Sequence, residues 1–247
     1  MKKNLLFFAC FVFLVGVPFL VNAGDEISAT FSSKIWSKYH VPNSVVVHDE
    51  PVLQNNLLTS LPKGFYFNIW HSMGLDDVDL SSNSGDELDL TFGWSGSWKE
   101  FGLDMGITYI DGLPTFRMKR GDFIQPYLEL SRGLDIADEH LLTPFTKIEL
   151  LFPLDGGDNL ADIFGGIKHN WQLSDRFAVS QKVYLLCDDA GSGNGALVGG
   201  YEMDFNWNIK ENITFSPLML KTTAPFSSVN DGRRPEATIG VGISFVF

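Results

Sequence analysis

The chain is short of three things, and each shortage excludes a class of protein. It holds two cysteines in 247 residues. Cys10 lies in an apolar leader, so Cys187 stands alone after it and no disulfide can staple the mature chain. Cations are scarce as well: 18 Lys and Arg face 30 Asp and Glu, a formal charge of −12. Binding a phosphate backbone requires clustered Lys and Arg to release counterions, so nucleic acid is excluded as a partner. Third, no apolar run beyond the leader approaches the roughly 20 residues that a spanning helix needs. If the mature chain occupies a membrane, it does so with strands.

What is present begins with the leader. Lys2 and Lys3 precede an apolar run from Leu5 to Val21, and Val21-Asn22-Ala23 then stands before Gly24. Basic, apolar and small residues in that order form a secretory signal, so cleavage is expected after Ala23 and residues 24–247 are expected to fold as one domain. A hydrophobic content of 45% is too high for disorder.

The last eleven residues, ATIGVGISFVF, alternate. Ala237, Ile239, Val241, Ile243, Phe245 and Phe247 make one oily face, while Thr238, Gly240, Gly242 and Ser244 make a small, weakly polar one. A period of two is a strand. Comparable segments recur at 27–39, 52–61, 65–75, 88–98, 101–110, 122–131, 143–153, 163–173, 177–187, 196–209, 213–222 and 236–247. Each is about the 9 to 11 residues that a tilted strand needs to cross hydrocarbon.

Twelve such segments predict an all-β, antiparallel, up-and-down transmembrane barrel. Long polar links such as DDVDLSSNSGDE and FSSVNDGRRP alternate with tight ones such as PKG, KE, SDR and KEN. That asymmetry predicts an outer-membrane barrel of a Gram-negative bacterium, with its turns and both termini in the periplasm. RGLDIADEHLL is the exception, a long link where a turn is expected. Trp98, Trp171, Trp207 and Phe247 fall toward the short turns and Tyr39, Tyr109, Phe123 and Phe152 toward the long loops, which predicts two interfacial aromatic belts. A closing Phe247 also resembles the terminal signal by which Gram-negative barrels reach their assembly machinery.

Residues 64–112 carry a closer likeness. GFYFNIWHSMG, an acidic link, ELDLTFGWSGSW and FGLDMGITYIDG resemble the opening hairpins of the TorF family of porin-like barrels, over about the first half of the mature chain. Trp94 stands where that pattern has Tyr, and Thr108-Tyr109-Ile110 replaces a fuller aromatic run. The resemblance implies a small outer-membrane barrel with a pore and names no solute.

Function then lies on the inward face. By strand phase its charged residues are Lys34, Lys38, Asp89, Asp104, Glu129, Lys147, Glu149, Lys168, Lys182, Glu202, Asp204 and Lys221. Six are basic and six acidic, so weak charge selectivity is expected. Turning the seventh and eighth strands about residues 155–162 sets Glu149 opposite Lys168. The next two turns add Lys182 and Glu202, which predicts one lumenal row, Glu149, Lys168, Lys182, Glu202, in which the end carboxylates compensate the adjacent lysines. The row serves equally as a constriction for polar solutes or as a brace for the wall.

An enzyme is not expected. Nucleophilic hydrolysis needs a base beside its nucleophile, and adjacent His71 and Ser72 point to opposite faces of a strand, while Trp171 follows two residues after His169. A rim protease would need Asp and His pairs, for which His40 and Asp49 are the single candidate. His71 and His169 have the outward phase on distant strands, so no metal site or cofactor is expected.

Asp76, Asp77, Asp79, Asp155, Asp158, Asp188 and Asp189 read as solvated loop acids that could share divalent cations with lipopolysaccharide. Arg117, Lys119, Arg120, Arg233 and Arg234 could meet its phosphates. Pro126, Pro144 and Pro217 fall inside proposed strands, where each deletes a ladder donor and fits a bulge or an end. Cys187 reads as a small apolar residue. The expectation is a narrow passive porin for small polar solutes in contact with outer-membrane lipid and lipopolysaccharide, its oligomeric state left open. The rival is a closed barrel whose loops bind at the surface.

Overall fold

The computed structural model describes residues 27–75, 86–112, 122–154, 156–188, 196–226 and 233–247. The leader and the loop residues Asp76, Asp77, Asp79, Arg117, Lys119, Arg120, Asp155 and Asp189 lie outside them. Twelve long strands alternate with links of two lengths. In chain order they are β1 (Ser28–Trp36), β4 (Val52–Ser60), β5 (Phe65–Gly74), β6 (Glu87–Trp98), β7 (Phe101–Gly112), β8 (Phe123–Ser131), β10 (His140–Pro153), β11 (Leu160–Gln172), β12 (Phe177–Asp188), β13 (Ala196–Lys210), β14 (Ile213–Pro225) and β15 (Glu236–Val246). Two short strands, β2 (Tyr39–His40) and β3 (Val46–His48), form a separate hairpin, and β9 (Leu134–Ala137) lies on the edge of β10.

Each long strand pairs antiparallel with the next. β1 meets β15 from Thr30↔Val246 to Trp36↔Gly240, which closes the barrel. The final strand thus answers to the alternation: Ile239 is 57% exposed on the outer face, while Thr238 on the inner face is buried. The same phase puts Ile163, Val183 and Leu185 outside, each about half exposed. An outer surface of large apolar side chains is stable only against lipid.

Inside, rings are fitted to glycines. Tyr66 stands opposite Gly93, Gly93 opposite Gly106, and Gly106 opposite Tyr127, across β5 to β8. A Cβ on Gly93 would lie 2.3 Å from the Tyr66 ring, and one on Gly106 2.7 Å from that of Tyr127. The two rings lie over the two glycines from either side, and their hydroxyls meet. Tyr66 also donates to Asp104 Oδ1 at 2.7 Å. Tyr184 lies over Gly200 in the same manner. Gly93 in GWSGSW and Gly106 in FGLDMGITY are therefore notches for tyrosines carried on neighbouring strands. Trp94 is buried at the turn end, where its Nε1 donates to Lys63 O at 2.9 Å.

The prolines mark irregularities. Pro217 occupies a register shift between Ser216 and Met219. The β8–β10 pairing lapses opposite Pro126, between Glu149↔Tyr127 and Phe152↔Ile124. Pro144 lies where the edge of β10 passes from β8 to β9. The exceptional link RGLDIADEHLL is β9 with its turn: β10 and β11 outrun β8, and β9 folds back along the extension through Leu142↔Leu134.

Gly106→Val should push the Tyr127 ring off its seat and destabilise the barrel by about 1–3 kcal/mol, the usual cost of overpacking. The urea midpoint of the folded band in unheated gel electrophoresis measures this, and an unchanged midpoint would mean that the ring moves freely.

Candidate functional site

The lumen has two unlike halves. On β10 to β13 the inner positions Phe145, Phe164, Tyr184, Leu186, Ala196 and Val198 form one buried apolar cluster. Along β4 to β8 the inner positions are mostly amides and hydroxyls, and two cavities lie against them. One, of about 380 Å³, sits toward the long-loop end and is bounded by Trp36, Trp70, Gln54, Asp89 and Lys221. The other, of about 800 Å³, sits toward the turns and is bounded by Asn56, Tyr66, Ser95, Asp104 and Lys147. Asn68, Thr91, Thr108 and Gln125 line both.

The anticipated charged residues that lie on strands have the inner phase, Lys38 standing past the end of β1, and ion pairs join most of them. Lys182 Nζ lies 3.6 Å from Glu202, and Lys34 Nζ 3.7 Å from Asp204. Lys168 pairs with Glu129, and Lys147 with Glu149, to which Gln125 Nε2 also donates at 3.1 Å. Lys168 and Lys182 lie over the Phe145 ring, at 4.8 and 5.8 Å from its centre. Their charges thus rest on the apolar cluster, a cation–π arrangement.

The register of β12 sets Lys168 beside Lys182, and that of β13 sets Lys182 beside Glu202. Glu149 is not in this row. It stands opposite Asp162, and Thr143 stands opposite Lys168. The cause is the place of the turn: pairing closes at Leu151↔Leu160 and not at residues 154 and 163, so the turn is centred three residues earlier than the alternation places it. Moving the centre of an antiparallel turn by three moves the partner of Glu149 by six positions. Glu129 supplies the carboxylate instead, and Lys221, opposite Glu202, continues the row.

Six against six also undercounts the acids. Glu87, Asp162, Asp188 and Glu236 share the inner phase near the long-loop end. Arg233, expected to face lipopolysaccharide, is buried in an ion pair with Asp188. Two of the expected belt residues are also corrected. Phe123 shares the phase of Gln125 and Tyr127 and faces inward. Tyr39 has left the wall with the β2–β3 hairpin, and its ring packs on Trp70 with centres 5.7 Å apart. Trp98, Trp171, Trp207 and Phe247 are exposed at the turn end. Tyr109 has the outward phase, its hydroxyl donating to Asp122 at 3.3 Å, and Phe152 is outward as well.

The β2–β3 hairpin has no local signature in the sequence. After Trp36 the chain turns into the barrel, pairs Tyr39 with His48 and His40 with Val46, and returns to β4. From one side Lys221 Nζ on β14 donates to His40 O at 3.1 Å, and Arg233 donates to Asn43 O at 3.2 Å. On the other side the Tyr39 hydroxyl donates to Glu87 on β6 at 3.3 Å. Lys38 pairs with Glu236, and the Thr238 hydroxyl binds the main chain of Lys38 on both its donor and acceptor. The hairpin so bridges the mouth from β14 to β6. His40 is 1% exposed. Burial first, then the charges of Lys221 and Lys38, lower its imidazole to about 4, against an opposing pull from Glu202.

His169 faces outward, where a polar side chain is costly, and is satisfied locally. Its Nε2 lies 3.0 Å from His140 Nδ1, and Gln181 Nε2 lies 3.4 Å from its Nδ1. Among the described residues no group of three or more His, Cys, Asp or Glu side chains could hold a metal ion. His71 and Ser72 have opposite phases; Ser72 is buried against Gln54, its hydroxyl accepting from Nε2 at 3.4 Å.

No protein-family model matches the chain, and no curated protein matches it significantly. The COG4313 outer membrane channel from Pseudomonas putida F1 superposes with a TM-score of 0.54 at 10% identity, over 93% of this chain and 98% of that one. The NanC porin superposes with a TM-score of 0.50 at 9% identity, over 89% and 99%.

Arg233→Ala should remove the buried cation paired with Asp188, a loss typically of about 3–5 kcal/mol when one partner of a buried ion pair is deleted, and should also free Asn43 O from that contact. Denaturant titration of the purified barrel checks the first effect, and faster proteolysis within residues 41–45 checks the second. At that identity the two likenesses establish architecture: this chain has the closed, twelve-stranded antiparallel fold of outer-membrane β-barrels.

Proposed function

We propose that the protein is a narrow passive channel in the outer membrane of a Gram-negative bacterium, passing small polar solutes along one side of its lumen. The observation that carries this reading is the pair of cavities meeting at Asn68, Thr91, Thr108 and Gln125. A path off the axis, past amides and hydroxyls, would exchange a solute's water for equivalent hydrogen bonds. Charges of both signs border it, Lys38, Lys221 and Lys147 against Asp89 and Asp104, which supports weak selectivity by sign. The resemblance of residues 64–112 to the TorF family agrees with a pore.

In this reading the row Lys168, Lys182, Glu202 is a brace and not the constriction, because it rests on the filled half. The short turns and both termini face the periplasm, and Phe247 engages the assembly machinery. Arg234 and Asp158, at the long-loop end, meet lipopolysaccharide and its divalent cations. No enzymatic step is assigned, since His71 and Ser72 cannot act together.

A second reading, a closed barrel that binds through its loops, is favoured by the hairpin across the mouth and the apolar cluster. Planar-bilayer recordings separate the two. For a channel, Thr91→Trp should cut conductance several-fold, whereas the double substitution Lys168→Gln, Lys182→Gln should leave conductance and ion preference unchanged. Silence of the wild-type barrel under all conditions would favour the closed reading, and sensitivity to the lysine pair alone would return the constriction to the row.

A further inference from the structure

We propose that the β2–β3 hairpin is a plug released by acid, with His40 as its trigger; as a gate, it rests on the lumen being a conducting path. Main-chain hydrogen bonds join the hairpin to itself through Val41 N to Val45 O. What holds its tip to the wall is a handful of side chains: Lys221, Arg233 and Tyr39, with Lys38 at its root. Such a contact can separate without breaking the barrel ladder.

Docking also leaves polar groups unsatisfied. Both ring nitrogens of His40 and the Ser44 hydroxyl are buried without a hydrogen-bond partner, as are Asn68 Oδ1 and Asp89 Oδ1 on the wall beside the same cavity. A buried polar atom without a partner opposes the state that buries it. Release would hydrate these atoms together. Docked and free hairpins are therefore closer in free energy than a fully satisfied packing would make them, and a single added charge can decide between them.

The surroundings of His40 give that charge its sign. Lys221 from β14 and Lys38 from its own approach lie close by, and Glu202 from β13 is the nearby carboxylate. The other acids around the hairpin are engaged: Glu236 by Lys38, Asp188 by Arg233, Glu87 by Tyr39, while the exposed Asp49 lies 3.9 Å from Lys38. Lys34 and Lys182, deeper on β1 and β12, are held by Asp204 and Glu202. Asp89 faces the hairpin from β6 across the cavity. An imidazolium here would be a third cation beside two lysines, with no acceptor for either N–H. Docking favours the neutral ring, so the plug is fully held above the pKa of a free histidine, about 6.5, and loses its hold as pH falls toward 4.

Two readouts test this on the full chain in a Cys187→Ser background. One is bilayer conductance at pH 7.5 and pH 4.5. The other is the distance between spin labels at Val45→Cys on the hairpin and Ser97→Cys at the turn end. Acid should raise wild-type conductance several-fold and lengthen and broaden the label distance. His40→Gln, which keeps a polar side chain but cannot take a proton, should abolish both responses. Deletion of residues 40–47 should conduct at the high level at both pH values. A label distance that does not change with pH overturns the proposal, as does an acid response of full size in His40→Gln. Lengthening at low pH in a barrel that never conducts, even with the hairpin deleted, would support the release while refuting the channel.

Discussion

Backbone pairing governs this molecule before any side chain does. Hydrocarbon offers no partner to an N–H or C=O, so strands enter it only as a closed ring, and here closure is the β1–β15 ladder between two segments about two hundred residues apart in the chain. Once the ring is shut, alternation assigns every side chain to one of two solvents. Ile239 and Val183 must be oily because lipid is outside, and Thr238 and Lys182 are free to be polar because the enclosed space is not lipid.

That enclosed space is divided. Twelve strands surround a lumen, and the chain fills part of it with Phe145, Phe164, Tyr184 and Leu186. Lysines rest their stems and charges on those rings and reach carboxylates on other strands. The opposite wall keeps mostly short polar groups, and two of its rings, Tyr66 and Tyr127, lie in glycine notches. Stiffness on one side and room on the other are complementary results of one inner surface.

The barrel was legible because period-two alternation and unequal links are local features. The inner phase of the charged residues followed directly from the alternation. The partner of Glu149 is not legible in this way, because register depends on where the turn is centred, and LADIF gives little warning that pairing begins at Leu160. The dry half could have been suspected from VYLLC and ALV, which are apolar in both phases and so cannot line water on either side. Nothing local distinguishes Tyr39 and His40 from the end of β1. Their departure depends on Glu87, Lys221 and Arg233, which are remote in sequence and meet only in the closed barrel. The tyrosine notches were hidden similarly, since ring and glycine lie on different strands.

The unequal lengths of β8 and β10 leave an awkward place on the barrel's lower margin. Past Ser131 β10 has lost β8 as its neighbour on one edge while it continues beside β11 on the other. Bare main chain there would invite a strand from any other polypeptide during assembly, as open sheet margins do. Leu134–Ala137 covers that stretch with the chain's own backbone. The one link that breaks the pattern of tight turns thus acts as a selvedge, keeping an unfinished hem from being sewn to a stranger.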